Sequence, residues 1–363
     1  MRSSILLFIA IFAISCGSAR KGGGQAALSD TLYKARYAAK FEIFGSGDSL
    51  VLRVHNPWQG AANVFFDYQF AKNPERKPRV ICMSSSHVAY LDAVGRVDDI
   101  VGVSGRDFIA NPKIQADRTP DIGYDNNLNY ELIVSLKPDY VFVYEVIGEN
   151  SASTQKLRQL GIPVIYVADY LEQHPLARAE WVVAFGAMVG RMEEAEMLFS
   201  EIATSYESTK DSVGRIGGIK PRVMLNSPYR DVWYVPGDRS YIVQLVEDAG
   251  GDYLAQGVDD DISRPISSET AFTLMSRADI WLHPSIGENT VEKIRNQHHR
   301  FACLPVVSRG DIYNNNARST PRGGSDFWES GALRADLIIA DLAKIFYPQH
   351  FPAHELYYYR RVE

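Results

Sequence analysis

The 363-residue sequence predicts an α/β protein of two similar lobes that are joined by one long helix and preceded by a β-rich segment. Three observations support this fold class. From residue 79 onward, short apolar runs of strand length alternate with amphipathic stretches. The same order of features recurs about 140 residues later. A long stretch with helical periodicity lies between the two copies.

The first 16 residues have the pattern of an export signal. An apolar run over residues 5–14 follows a single positive charge at Arg2 and is too short to span a bilayer. The small and apolar residues before Cys16 resemble the lipobox of bacterial lipoproteins, with Ala13 where that motif prefers Leu. The resemblance implies a signal peptide over residues 1–16, a lipid on Cys16, and a membrane-anchored protein of the periplasm or cell envelope.

Residues 17–36 include three consecutive glycines and predict a flexible tether. Residues 37–78 then predict a β segment and a linker, because apolar and polar residues alternate over 41–54 and 63–70. The linker is indicated by two prolines and three charges within residues 73–78. No motif in this segment indicates its role.

The first lobe is predicted over residues 79–175, with buried strands at 80–83, 140–144 and 164–167. Asn129 predicts the start of a helix, because an Asn side chain at that position accepts free backbone N–H groups, and Pro138 marks its end. The second lobe is predicted over residues 219–347, because residues 269–283 repeat the helix-then-strand pattern of residues 131–144.

An inter-lobe helical region is predicted over residues 176–218. Within it, residues 192–213 contain no Pro or Gly and place apolar side chains at helical spacing. Such a helix would be about 33 Å long, which is enough to connect two lobes. Residues 348–363 are predicted to form a tail on the surface.

Composition and missing motifs argue against two classes of function. The net charge of −6 argues against nucleic acid as a partner, because nucleic-acid binding needs clustered Lys and Arg. An enzyme is not predicted, because the sequence has no nucleophile-elbow, zinc-protease or phosphate-loop motif. Cys82 and Cys303 lie in apolar stretches of different halves and are predicted not to form a disulfide.

Several local motifs together resemble the helical-backbone (class III) substrate-binding proteins of ABC importers, which carry ferric siderophores, haem and cobalamin. The resemblance implies two Rossmann-like lobes, an ABC permease with its ATPase subunits as partners, a monomer, and no cofactor. It also implies that an iron chelate is captured between the lobes and delivered to the permease. The motifs lie at residues 79–84, 129–133, 136–139, 161–163, 220–223, 249–251, 304–306 and 310–313.

Candidate ligand contacts lie where the predicted strands end, because open α/β sheets bind ligands at the carboxyl ends of their strands. Tyr and Trp rings with a few Arg side chains suit a large anionic metal chelate. Arg264 stands where the cobalamin-binding relative has an aromatic residue, which favours a ferric siderophore or haem. For haem, His87 or Tyr124 is a candidate axial ligand. The candidates are Ser86, His87, Arg106, Tyr124, Tyr144, Tyr229, Trp233, Arg264, Asn315, Arg318 and Arg322.

Glu131 and Glu269 occupy the same step of the two repeats, each in the first turn of a predicted helix. By the family resemblance they correspond to the two carboxylates that dock on permease arginines. The competing interpretation is that each merely complements a helix dipole, which is worth about 0.3–1 kcal/mol.

Alternative functions remain open at this point. A cobalamin-binding protein of the same class is the main one. A bare Zn or Mn site would need several His and carboxylate ligands together, and His87 and His283 are the only two that fall on suitable predicted loops. A secreted hydrolase and a purely structural lipoprotein are the minor alternatives.

Overall fold

The computed structural model describes residues 20–21, 30–114, 118–146, 148, 151–229, 232–257, 259–284 and 290–363. The predicted signal peptide, Cys16 and most of the predicted tether lie outside the described residues. Within the described ranges, no helix combines the length and the apolar character needed to cross a membrane.

The N-terminal β segment is a five-stranded antiparallel sheet with the strand order β1-β5-β4-β3-β2. Its apolar residues face the first lobe, where Phe66 contacts Tyr166 with ring centroids 4.8 Å apart. The sheet begins inside the predicted tether, so the boundary at residue 37 is too late in the chain. The strands are β1 (Arg20–Lys21), β2 (Thr31–Tyr33), β3 (Phe41–Ser46), β4 (Ser49–His55) and β5 (Phe65–Ala71).

The first lobe is a four-stranded parallel sheet with the order β7-β6-β8-β9. Short, almost wholly buried apolar strands are typical of parallel sheets covered on both faces. Asn129 caps α2 as predicted, because its side chain accepts the Leu132 backbone N–H at 3.0 Å. The elements are β6 (Val80–Cys82), α1 (Ser85–Ala93), β7 (Ile100–Val103), α2 (Tyr130–Leu136), β8 (Tyr140–Val143), α3 (Ala152–Gln159) and β9 (Val164–Tyr166).

Two helices, α4 (Pro175–Met188) and α5 (Met192–Gly214), connect the lobes. The 23-residue α5 is about 35 Å long and confirms the predicted connecting helix. Near its C-terminal end the Tyr206 hydroxyl donates to Asp248 of the second lobe at 2.7 Å. The buried α4 packs along α5, and Gly186 permits this approach because a Cβ there would lie 2.5 Å from the Ala195 Cβ.

The second lobe contains a five-stranded sheet in the order β13-β10-β15-β16-β17, in which only β17 runs antiparallel to its neighbour. A smaller antiparallel sheet, β11-β12-β14, stands beside it. The elements are β10 (Arg222–Leu225), β11 (Pro228–Tyr229), β12 (Val232–Val235), α6 (Tyr241–Asp248), β13 (Asp252–Tyr253), β14 (Arg264–Ile266), α7 (Ser268–Met275), β15 (Ile280–Leu282), α8 (Val291–Gln297), α9 (Pro305–Arg309), β16 (Ile312–Asn314), α10 (Ala335–Phe346) and β17 (Arg360–Arg361).

The predicted surface tail is part of the second lobe. The buried Asp341 carboxylate accepts the backbone N–H groups of Tyr357, Tyr358 and Tyr359 at 2.7–3.1 Å. Tyr358 and Tyr359 are each 1% exposed, and the chain then forms the edge strand β17. Four 3-10 turns complete the described structure, at Val97–Asp99, Arg106–Phe108, Asp169–Leu171 and Ser330–Ala332.

Candidate functional site

A cavity of about 660 Å³ lies at the carboxyl ends of β6 and β8 in the first lobe. The parallel strands explain the position of this cavity, because the residues that follow parallel strands lie at the same edge of the sheet. Tyr144 is the one predicted ligand residue that lines it. The lining residues are Met83, Asp125, Val143, Tyr144, Glu145, Val146, Gly148, Ser151, Ala152, Ser153, Thr154 and Leu157.

Tyr144 and Tyr170 form an aromatic wall beside this cavity, with ring centroids 6.3 Å apart. The Tyr144 hydroxyl hydrogen-bonds to the Asp125 carboxylate, while burial raises the pKa of Asp125 above its usual value. Burial and the nearby Asp125 charge raise the pKa of the Tyr144 phenol, so this ring stays neutral. The Tyr170 hydroxyl donates to the Glu145 backbone carbonyl, which fixes the second ring.

A second exposed aromatic pair follows β7. Tyr124 is 49% exposed and Phe108 is 44% exposed, and their ring centroids are 6.4 Å apart. Gly105 has a φ of 66° and lies under the Tyr124 ring, where an added Cβ would be 2.9 Å from a ring carbon. The neighbouring Arg106 is half-buried, and no described carboxylate forms an ion pair with its guanidinium.

The loop after β7 also contacts the second lobe directly. The Glu329 carboxylate accepts the backbone N–H groups of Ala110 at 2.6 Å and Asn111 at 2.9 Å. Gly324 lies so close to this loop that an added Cβ would be 2.0 Å from the Phe108 carbonyl oxygen. These contacts join the two lobes directly.

The predicted arginines of the second lobe already have partners. Arg318 pairs with Asp326 at 2.7 Å, and Arg322 lies 3.6 Å from Asp107 of the first lobe. Arg264 donates to the Ala255 backbone carbonyl at 2.6 Å. These three guanidinium groups are therefore less available to an anionic ligand.

Four predicted ligand residues are buried instead of facing the cleft. His87 is 0% exposed and Trp233 is 1% exposed, and the Trp233 indole donates to the Leu225 carbonyl at 2.9 Å. Ser86 and Asn315 are 2% and 3% exposed. Burial also lowers the pKa of His87 to about 4, so the ring is neutral. The prediction that these side chains contact ligand is corrected by their burial: Ser86 and His87 lie on the covered side of α1, and Trp233 lies within β12 with its ring in the core.

Tyr229 ends β11, and its side chain lies outside what the structure describes.

Comparison with known proteins identifies the family. Residues 80–316 match the periplasmic binding protein family. The chain belongs to this family. It is a solute-binding protein of the ABC-transporter type and not an enzyme.

Individual relatives agree with this assignment. An uncharacterized lipoprotein of Methanocaldococcus jannaschii is 25% identical over 294 residues, which cover 77% of this chain and 68% of that protein. A periplasmic heme-binding protein from Roseiflexus sp. RS-1 has the same fold, with 22% identity and a TM-score of 0.58 over 76% of this chain and 100% of that chain. A possible iron-binding protein from Staphylococcus epidermidis matches with 20% identity and a TM-score of 0.58, covering 75% and 100% of the respective chains.

In this periplasmic binding protein, Glu131 and Glu269 occupy equivalent places. Each is the second residue of its helix, α2 or α7, and each is exposed. Free backbone N–H groups at the start of α7, with Ser267 and Arg300, lower the pKa of Glu269. The Arg300 guanidinium lies 3.3 Å from Glu269 on the exposed surface, where such pairs are weak and easily exchanged.

Sequence reasoning missed two aromatic residues. Tyr170 follows β9, so the strand-end rule that selected Tyr144 would also have found it. Trp328 is 39% exposed, and its ring lies 6.4 Å from that of Tyr241. No local signal in the sequence separates an exposed ring at this position from a buried one.

The described residues contain no group of three or more His, Cys, Asp and Glu side chains arranged to hold a metal ion. His87 and His283 have different neighbours and do not form a shared site. His87 packs against Phe185, whereas His283 hydrogen-bonds to the Tyr359 hydroxyl at 2.7 Å. Cys82 is buried and Cys303 is exposed, and both are free thiols.

Proposed function

We propose that this binding protein captures an iron chelate, a ferric siderophore or haem, and delivers it to an ABC permease. The observation that carries the proposal is the cavity of about 660 Å³ at the carboxyl ends of the first-lobe strands. This volume falls within the range of about 300–1,000 Å³ that holds drug-sized ligands. It also lies on the side of the sheet where this fold binds its ligand.

The aromatic rings around the cleft support a bulky, partly planar cargo. Tyr144 and Tyr170 stand at the cavity, and Phe108 and Tyr124 are exposed on the adjacent loop. Exposed rings of this kind stack on flat ligands and contribute apolar area at little entropic cost. For haem, Tyr124 is the remaining candidate axial ligand, because His87 is fully buried. The structural neighbours from Roseiflexus and Staphylococcus epidermidis, a heme-binding protein and a possible iron-binding protein, support the same class of cargo.

Delivery needs attachment and docking. We propose that a lipid on Cys16 anchors a monomer at the membrane, in line with the lipoprotein name of the Methanocaldococcus relative. Glu131 and Glu269, one exposed carboxylate per lobe, would then engage basic residues of the permease. Two contacts related by the repeat allow the protein to straddle a two-subunit partner.

Titration of tryptophan fluorescence tests the proposed cargo, because the Trp58 indole lies beside Gly148, which lines the cavity. We expect micromolar or tighter binding of a ferric siderophore or haemin. Tyr144→Ala should weaken this binding about tenfold, because it removes a ring that lines the cavity. Met197→Ala, at an exposed position of α5, is the control and should leave binding unchanged.

Other outcomes of the same titration would overturn the proposal. Preferential binding of cobalamin would assign the protein to the corrin carriers. Binding of free Zn²⁺ with no response to any chelate would support the bare-metal alternative.

A further inference from the structure

The first-lobe cavity has an acidic, hydroxyl-rich wall. Two carboxylates line it, Asp125 and Glu145, together with the hydroxyl groups of Tyr144 and of three Ser or Thr side chains. Among the described residues that line the cavity, none is Lys, Arg or His. A ligand group that enters this space therefore meets negative charge and hydrogen-bond acceptors.

Glu145 is held in place by hydrogen bonds. Its side chain is only 6% exposed, and its Oε1 accepts hydrogen bonds from the hydroxyl groups of Ser151 and Thr154. These hydroxyls belong to the first turn of α3 and its cap, so the carboxylate lies at the N-terminal end of that helix. Among the described residues that line the cavity, no basic side chain pairs with it.

Asp125 adds a second acid from a different loop. It lines the same cavity, and its carboxylate accepts a hydrogen bond from Tyr144. A cationic ligand group that enters the cavity would therefore meet carboxylates from two different loops.

None of the four predicted arginines lines the cavity, and the three of the second lobe already have protein partners. Arg318 and Arg322 pair with Asp326 and Asp107, and neither arginine lines the cavity. The charge pattern of the described site is therefore opposite to that expected for a strongly anionic chelate.

We propose that the first-lobe cavity binds a positively charged arm of the chelate, a protonated amine that is held by Glu145 and Asp125. This inference rests on the proposed function, because it names the chemical class of the cargo. It favours cationic hydroxamate-type iron complexes over tricatecholate complexes and over haem, whose ionised groups are carboxylates. The Tyr144 and Tyr170 rings would contact the apolar methylene chain that carries the amine.

Calorimetric titration of the whole protein with a matched pair of ligands tests the proposal. Ferrioxamine B carries a free ammonium group, and its N-acetylated derivative has the same iron centre without that charge. We expect the acetylated complex to bind at least tenfold more weakly, a difference of about 1.4 kcal/mol. Haemin and ferric enterobactin are the anionic comparison ligands and should bind more weakly than ferrioxamine B.

Single substitutions test which carboxylates cause the preference for the ligand with the ammonium group. Glu145→Gln keeps an oxygen for the Ser151 and Thr154 hydroxyls while removing the charge, and Asp125→Asn does the same at the second position. Each should abolish most of the preference for the ammonium form and leave the affinity for the acetylated form within about twofold. Glu201→Gln, at an exposed position of α5, is the matched control and should keep the full preference.

The outcomes separate this inference from the proposed function. Equal affinities for the two ferrioxamines, or tighter binding of haemin or ferric enterobactin, would overturn the ammonium site and leave an iron-chelate carrier. If no iron complex of any charge binds, both proposals fail. Circular dichroism spectra of each variant check that lost binding does not come from lost folding.

Discussion

The two lobes share one plan of strands and helices but differ at the ends of their strands. In both, an exposed Glu is the second residue of a capped helix that precedes a central strand. At the ligand edge, the first lobe has an acidic cavity, whereas the second lobe has arginines already paired with protein groups. The two lobes therefore keep the same scaffold, while the loops at the ends of their strands have diverged in sequence and charge.

The largest expected effect concerns the feature that the lobes share. Reversing both glutamates, Glu131→Lys and Glu269→Lys, should abolish transport in an uptake assay, because each position would then repel a basic permease surface. Ligand affinity should not change, since neither residue lines the cavity.

Each single reversal, Glu131→Lys or Glu269→Lys, should remove a similar fraction of uptake, because the two glutamates occupy equivalent positions in the two lobes. Glu201→Lys on α5 controls for the added charge. A loss of ligand affinity in the double variant would place these residues in the binding site and refute their docking role.

A second contrast lies between two histidines. The ring nitrogens of the fully buried His87 have no hydrogen-bond partner of normal geometry among the described groups, whereas His283 bonds to the Tyr359 hydroxyl. His283→Leu should lower the free energy of unfolding by about 1–3 kcal/mol, because it leaves the buried hydroxyl unpaired. His87→Leu should change it by less than about 1 kcal/mol, because an apolar side chain suits that site.

Urea denaturation of the two variants measures this difference. Equal losses of stability would show that His87 forms an interaction as strong as that of His283. Ligand affinity should not change in His87→Leu, because His87 is fully buried.

The smallest expected effect is at Glu329, which joins the lobes. Burial, and the nearby Asp326 and Asp92 charges, raise its pKa to about 7, although two backbone N–H groups oppose the shift. The native state therefore binds a proton more tightly than the unfolded chain, whose Glu has a pKa near 4.5. This contribution to stability is fully present below pH 4.5 and is lost as the pH rises through about 7.

Glu329→Gln should reduce the decline in unfolding free energy between pH 5 and pH 8 by about 1–2 kcal/mol. Glu172, whose pKa burial also raises to about 7, accounts for a similar share and remains in the variant. Denaturation midpoints at both pH values measure the change. A variant with the wild-type pH dependence would show that Glu329 does not titrate in this range.

Local patterns predicted much of the scaffold. Asn129 caps its helix through a contact three residues away, and α5 follows from apolar spacing within one segment. The N-terminal attachment could not be predicted, because the buried Glu180 on α4 binds the Tyr33 hydroxyl and three backbone N–H groups about 140 residues earlier in the chain. No periodicity records a contact at that separation.

The candidate site was predicted less well than the fold. The strand-end rule correctly brings Tyr144 to a cavity, but the same rule selected Trp233, which turns into the core. The rule locates backbone positions and says nothing about which way each side chain points. Arg318 shows the same limit, because its partner Asp326 is visible only in the folded chain.

The sequence alone determined the alternation of strands and helices, the two repeats, the connecting helix and the matched positions of Glu131 and Glu269. These features depend on caps and on periods of 2 and 3.6 residues, which act within a few residues of chain. Only the tertiary structure decided the acidic cavity, the paired arginines and the contact of Glu329 with the first lobe, 219 residues away. Burial and charge pairing depend on neighbours in space, and distant segments become neighbours only through folding.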